Sequence, residues 1–281
     1  MALRNVKLTI AYDGTEYHGW QIQPGFKTVQ GVLTEALRSL LGDRARICGA
    51  SRTDAGVSAL GQVGLIQIDS PIPTENLARA ITDRLPADMA IVRAEDVPMG
   101  FDVINDVKSK LYRYTIYTGP VRPVLHVRHC WYLPGKLDVA AMNEAAQLLI
   151  GTRDFKSFAA AADVRENTVR TIFRCDVTSA SASRLMLPCV NANDSTVELG
   201  QQYNTSDEAR DTRYDFDWVY ADVEGDGFLY NMVRNIVGTL VEVGLGRWQP
   251  RKMIEILEAK DRTAAGPIAP AAGLCLVWIR Y

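Results

Sequence analysis

The hydrophobic periods of this chain run through the same order twice, and that repetition narrows the folds open to it. Val6 to Tyr12 alternates polar and apolar positions as a half-buried strand does, then breaks at Asp13-Gly14. Val29, Val32, Leu33, Ala36, Leu37, Leu40 and Leu41 follow at the spacing of an amphipathic helix, which Thr28 can cap and Gly42 can end. A strand over Ala45 to Ala50, a loop from Ser51 to Gly61, a strand near Gln62 to Ile68, a helix near Thr74 to Arg84 and a strand near Met89 to Glu95 complete the order β, α, β, β, α, β. The second passage has strands at Lys110 to Thr118, Phe173 to Ser179 and Trp218 to Glu224, with helices at Val139 to Leu149 and Tyr230 to Val243. Two split β-α-β units side by side predict an α+β protein. It has one mostly antiparallel sheet, helices on one face and a cleft where the halves meet, with the halves dividing at about 1–107 and 108–281.

Composition is consistent with a folded chain. Of 281 residues, 47% are hydrophobic and 23% charged, which excludes wholesale disorder, collagen-like repeats and coiled coil. The formal charge is −2, so a nucleic-acid partner needs local clusters of Lys and Arg. Residues 180–217 read as a polar, acidic insertion: seven carboxylates and three arginines give it −4 and leave +2 for the remainder of the chain. The five cysteines are scattered and lack a C-x-x-C pair, and His126 and His129 have only Cys130 beside them, so neither a disulfide framework nor a metal site is expected. The first residues read as a strand instead of a signal peptide, and no run of 18 apolar residues occurs. A cytoplasmic protein without a membrane anchor is expected.

Three segments have the composition of a site. The loop Gly49 to Val57 carries Arg52 and Asp54 between glycines, a way of holding a carboxylate in a cleft; read locally, it is equally a turn whose Asp54 accepts from backbone amides. Lys108-Ser109-Lys110-Leu111-Tyr112-Arg113-Tyr114 alternates basic and aromatic residues, a pattern suited to phosphates and bases but also found in plain strands. Gly225 to Asn235 begins G-x-G but lacks the third glycine of a dinucleotide fingerprint. It places Arg234 inside an apolar helix, where it either snorkels or pairs with a buried carboxylate. Arg165, Arg170, Arg174, Arg247, Arg251 and Lys252 are further candidates for a nucleic-acid path.

Taken together, Ala11 to Gln21 (AYDGTEYHGWQ), GASRTDAGV at 49–57, SKLYRY at 109–114, GTRDFKSF at 151–158, GFLYNMVRNIVGTLVEVG at 227–244 and DRTAAGPIAPAAGLCL at 261–276 resemble the tRNA pseudouridine synthase A family. The resemblance covers almost the whole chain. It implies two ferredoxin-like halves sharing one sheet, isomerisation of uridine to pseudouridine at positions 38–40 of the tRNA anticodon stem-loop, a homodimer, and no cofactor or metal. It also implies site roles: Asp54 as the essential carboxylate, Arg52 as the base-flipping arginine, Tyr112 as the active-site tyrosine and Arg234 as the partner of Asp54. The basic and aromatic alternation, and not the resemblance, adds Lys108, Lys110 and Arg113 beside Tyr112 as expected substrate contacts. Two positions depart from the family pattern: Ser58, where a histidine is usual, and Ile104 in Phe101-Asp102-Val103-Ile104, which lacks the usual Ala-Arg pair. The alternatives are an inactive RNA-binding module on the same fold, and a hydrolase that would need a second carboxylate or a metal near Asp54.

Overall fold

The structure, a computed structural model, describes residues 3–43, 45–181 and 217–281. In the first half, β1 (Arg4–Tyr12), α1 (Val29–Leu41), β2 (Ile47–Gly49), β3 (Ser58–Ile68), α2 (Thr74–Thr82) and β4 (Met89–Val97) follow in order. The second half has β5 (Ser109–Tyr117), β6 (Trp131–Tyr132), α3 (Val139–Gln147), β7 (Gly151–Asp154), β8 (Val169–Ser181), β9 (Asp217–Gly225), α4 (Met232–Gly244), α5 (Lys252–Ala259) and β10 (Leu274–Arg280). One sheet runs β4-β1-β3-β10-β5-β9-β8-β7, with β2 also on β3 and β6 also on β5. With the short β6 and β7 set aside and the remaining strands numbered within each half, both units have the spatial order fourth, first, third, second strand: β4-β1-β3-β2 and β10-β5-β9-β8. This is the α+β arrangement of two ferredoxin-like units in a single sheet. Among the described pairings only β3 with β10 and β5 with β6 are parallel.

The core follows from the alternation. Val6, Leu8 and Ile10 of β1 are fully buried against Leu33 and Leu37 of α1 and Leu77 and Ile81 of α2. Tyr114 and Ile116 of β5 join the same cluster with Met142 and Ala145 of α3 and Ile236 and Leu240 of α4. Each such aliphatic side chain contributes about 1.5–3 kcal/mol on burial, so one connected core ties the halves together. Thr28 caps α1 by accepting from the Gly31 amide, and Gly42 ends it at φ +91°, a backbone angle that glycine adopts without a Cβ clash.

Three differences from the sequence expectation matter for the site. Strand β3 begins at Ser58, inside the loop expected to run to Gly61, because Tyr12 and Leu276 both pair with Ala59. Helix α4 begins at Met232 and not Tyr230, because Asn231 lies in the left-handed region at φ +60°. Strand β10, which received no assignment in the sequence, lies between β3 and β5 and joins the halves. Residues 182–216, nearly all of the expected acidic insertion, lie outside the described residues; Ser181 and Asp217 on either side of them are cross-strand partners.

Candidate active site

The loop bearing Asp54 emerges at the seam between the halves. β2 pairs with Gly64 to Ile66 on one edge of β3, and on the same edge β10 pairs with Ser58 and Ala59. The chain from Ala50 to Val57 leaves β2 and enters β3 where the strand of the second half takes over. The AYDGTEYHGWQ segment braces this loop from behind. The Trp20 amide donates to the Thr53 carbonyl at 3.1 Å, the Gly56 amide donates to the Tyr17 carbonyl at 3.2 Å, and the Tyr12 and Thr53 hydroxyls meet at 2.8 Å. The approach is close enough that a Cβ on Gly19, itself at φ +83°, would lie 2.7 Å from the Thr53 carbonyl oxygen. Gly19→Ala should therefore cost about 1–3 kcal/mol of stability and lower turnover by displacing Asp54. A urea midpoint and a turnover number equal to wild type would show that the loop is not set from this side.

From the second half, α4 presents Arg234 to the same seam. Its Nε donates to the Ala269 carbonyl at 2.8 Å, its Nη1 donates to Asn231 Oδ1 at 3.1 Å, and Nη1 lies 3.5 Å from Asp54 Oδ2. The last distance describes an ion pair more than a well-formed hydrogen bond. The DRTAAGPIAPAAGLCL segment secures this geometry: Gly238 of α4 approaches Pro267 so closely that a Cβ would stand 1.7 Å from the Pro267 oxygen, and the Gly266 amide donates to Thr239 Oγ1 at 3.0 Å. Asp54 and Arg234 are only 21% and 16% exposed at their side chains. Burial pushes the Asp54 carboxyl above the usual carboxylate range, and the Arg234 guanidinium opposes that rise.

A cleft of about 680 Å³ opens over this pair. Tyr112 forms part of it, 6% exposed, with its hydroxyl 3.1 Å from Ser51 Oγ and its ring meeting Phe228 edge-on at a centroid distance of 5.2 Å. Burial pushes the Tyr112 phenol up to about 12, the Ser51 hydrogen bond opposes this and the Asp54 charge adds to it, so the hydroxyl is neutral at physiological pH. Arg52 is exposed at the cleft and makes no ion pair among the described residues. The sequence reading brought Asp54, Arg52, Tyr112 and Arg234 together, and the structure lines one cleft with all four.

The other expected residues are placed differently. Lys110 also lines the cleft, but its Nζ donates to the Ala50 carbonyl at 2.9 Å beneath the Asp54 loop, and burial pulls its ammonium down to about 8. Lys108 is exposed and lies outside the cleft lining. Arg113 points to the opposite face of the sheet, as strand parity requires of the neighbour of Tyr112. There it borders a second cavity of about 540 Å³ and forms two 2.7 Å contacts with Asp222, the pair being 13% and 7% exposed. Arg113→Met should thus destabilise the fold by about 3 kcal/mol, because it leaves the buried Asp222 carboxylate with only the more distant Arg174, at 3.7 Å, as counter-charge, while kcat/KM per folded molecule stays near wild type. Unchanged stability with a tenfold loss of tRNA affinity would return Arg113 to the substrate face.

Of the remaining basic residues, Arg165 lines the cleft and is paired with Asp163, whereas Arg174 is bonded to Asp176, Arg247 to Glu242 and Lys252 to Glu255. Ser58 accepts from the Gly14 amide at 3.0 Å, and Ile104 is a 54% exposed residue at the cleft edge. Ser51, Phe228 and Asp163 escaped the sequence reading. Each is unremarkable in type and is located only by pairings across the fold.

The arrangement defines a cleft enzyme with a buried, arginine-paired carboxylate and a tyrosine beside it. A sequence model of the family described as tRNA pseudouridine synthase matches residues 8–106 and 145–281. The chain is 37% identical over 279 residues, 99% of its own length and all of the relative's, to tRNA pseudouridine synthase A of Thermoanaerobacter sp. (strain X514). It is 40% identical over 280 residues to the protein of the same name from Ruminiclostridium cellulolyticum, and 39% identical over 279 residues to that of Pelobacter propionicus, again with 99% of this chain and all of the relative aligned. The chain belongs to the tRNA pseudouridine synthase family, a family of isomerases.

Proposed function

We propose that this protein isomerises uridine to pseudouridine at positions 38–40 of the tRNA anticodon stem-loop, with Asp54 as the essential carboxylate. The observation that carries the reading is the mostly buried Asp54–Arg234 pair at 3.5 Å, formed between the two halves within one cleft. A uridine stacked in a stem exposes neither its glycosidic bond nor C6 to a catalytic group, so the nucleotide is first turned out of the stem, and Arg52, which makes no ion pair among the described residues, fills the gap left behind. The base rests against Tyr112. The Asp54 carboxylate then promotes cleavage of the N1–C1′ bond, either by attack at C1′ or by assisting formation of a glycal. The freed uracil turns, C5 bonds to C1′, and the C5 proton is lost as N1 gains one, so composition is unchanged. Lys110 supports the Asp54 loop from below.

The second carboxylate that lines the cleft, Asp163, does not favour hydrolysis. It is held by Arg165 and by the Tyr230 amide, contacts that keep it well below the usual carboxylate range and occupy its oxygens. The same reading assigns the residues near 107 and 108 as the division between halves, a homodimer as the working unit and the cytoplasm as its place. No helix among the described residues is long and apolar enough to cross a membrane. Incubation with unmodified tRNA and mapping of pseudouridine by chemical labelling tests the proposal: label at positions 38–40 is expected, and tRNA binding with no label anywhere would leave an RNA-binding module.

A further inference from the structure

Outside the pocket that receives the uridine, the alternating basic and aromatic segment offers no open ring to RNA, because Tyr112 is 6% and Tyr114 0% exposed. The open ring in the cleft is Tyr230, 47% exposed. Its backbone is fixed on both sides. The Tyr230 amide donates to Asp163 Oδ2 at 2.8 Å, and its carbonyl accepts from the Ala160 amide at 2.9 Å. The next residue, Asn231, holds a left-handed conformation that non-glycine residues seldom adopt, while its side chain accepts from Arg234. Asp163 is itself 4% exposed and locked by Arg165. A rigid turn therefore carries an aromatic ring that makes no ring contact and no phenolic hydrogen bond among the described residues.

We propose that Tyr230 is a stacking platform for the base next to the uridine that enters the cleft, an inference that rests on the pseudouridine synthase reading. Turning one nucleotide out of a helix exposes the faces of its neighbours, and the enzyme needs a surface that replaces the lost stacking. The uridine must reach the mostly buried Asp54, so a ring at the solvent side of the same cleft meets the adjoining nucleotide. Every base has a π-face, which makes the contact tolerant of sequence. Arg165 lines the same cleft, but its guanidinium is engaged by Asp163 and by the Phe228 carbonyl, so the ring and not this cation carries the contact.

The test compares Tyr230→Phe, Tyr230→Leu and Tyr230→Ala with unmodified tRNA and with an anticodon stem-loop that carries 2-aminopurine beside the target uridine. Stacking predicts that phenylalanine keeps kcat/KM within about twofold, whereas leucine and alanine lose about 10- to 100-fold, mainly through KM. It also predicts a change of 2-aminopurine fluorescence on binding that wild type and Tyr230→Phe share and Tyr230→Leu lacks. Wild-type KM and fluorescence in Tyr230→Leu would overturn the proposal, and so would Tyr230→Phe behaving like alanine, which would assign the role to the hydroxyl. Because phenylalanine and leucine both fill the site, their comparison decides even where alanine unfolds. Fluorescence read in an Asp54→Asn background separates the two readings. A wild-type protein that forms no pseudouridine defeats the proposed activity, while the binding signal still reports whether Tyr230 stacks.

Discussion

Asp54→Asn is expected to remove pseudouridine formation, by on the order of 10⁴-fold or more, and to leave tRNA affinity within a few fold. The amide has nearly the same shape but neither attacks C1′ nor stabilises positive charge there, and the phosphate contacts that dominate RNA affinity are made by cations and not by a carboxylate, so the substitution leaves them in place. The same substitution makes a second, independent prediction. Burial raises the Asp54 carboxyl in the folded protein above its unfolded value, and Arg234 only partly offsets this. A carboxyl raised in this way favours the fold below its unfolded pKa, and that contribution is lost as pH climbs through the folded value. At neutral pH the ionised Asp54 is therefore a net cost to stability, and asparagine does not carry it. The thermal midpoint of Asp54→Asn at pH 7 should equal or exceed that of wild type. Measurable turnover by the purified variant sinks the catalytic assignment, and a clearly lowered midpoint shows that the ion pair holds the halves together.

What the sequence made legible and what it hid divide along contact range. Helix α1 was readable with both ends, because its apolar stripe, its Thr28 cap and its Gly42 stop are all local. The opposite directions of Tyr112 and Arg113 were also implicit in strand alternation, but the reason Arg113 stays on its face is Asp222, 109 residues away on β9. Strand β10 was hidden: Leu274 to Trp278 is a short apolar run with no period of its own, and its two partners, β3 and β5, belong to different halves. For the site, the loop from Gly49 to Val57 announced a carboxylate between glycines and nothing more. Asp54 and Arg234 are 180 residues apart, and no local pattern joins them; only the resemblance to a family did so. Asn231 at φ +60° is the least legible feature, since asparagine tolerates that conformation without requiring it, yet it starts α4 in the position that turns Arg234 toward Asp54.

Arg234 carries the remaining large effect. Arg234→Ala should lower kcat/KM at neutral pH by roughly 10²- to 10³-fold, the consequence of leaving a carboxylate in a water-poor cleft without its counter-charge. Arg234→Lys should lie between alanine and wild type, since an ammonium keeps the charge but cannot reproduce the fork that reaches Ala269, Asn231 and Asp54 together. The two ways in which Arg234 could matter have different signatures in pH. If it holds Asp54 ionised, its removal lets burial raise the carboxyl further, so the acid limb of the kcat/KM profile moves to higher pH and part of the lost activity returns as pH is raised. If it only braces the Ala269 carbonyl and α4, activity falls by a constant factor at every pH and the limb stays where it is. The first outcome is expected. Wild-type rates in both variants would reduce the pair to a bystander of the fold and move the source of Asp54 ionisation to another cation of the cleft, where Lys110 is the one seated beneath the same loop.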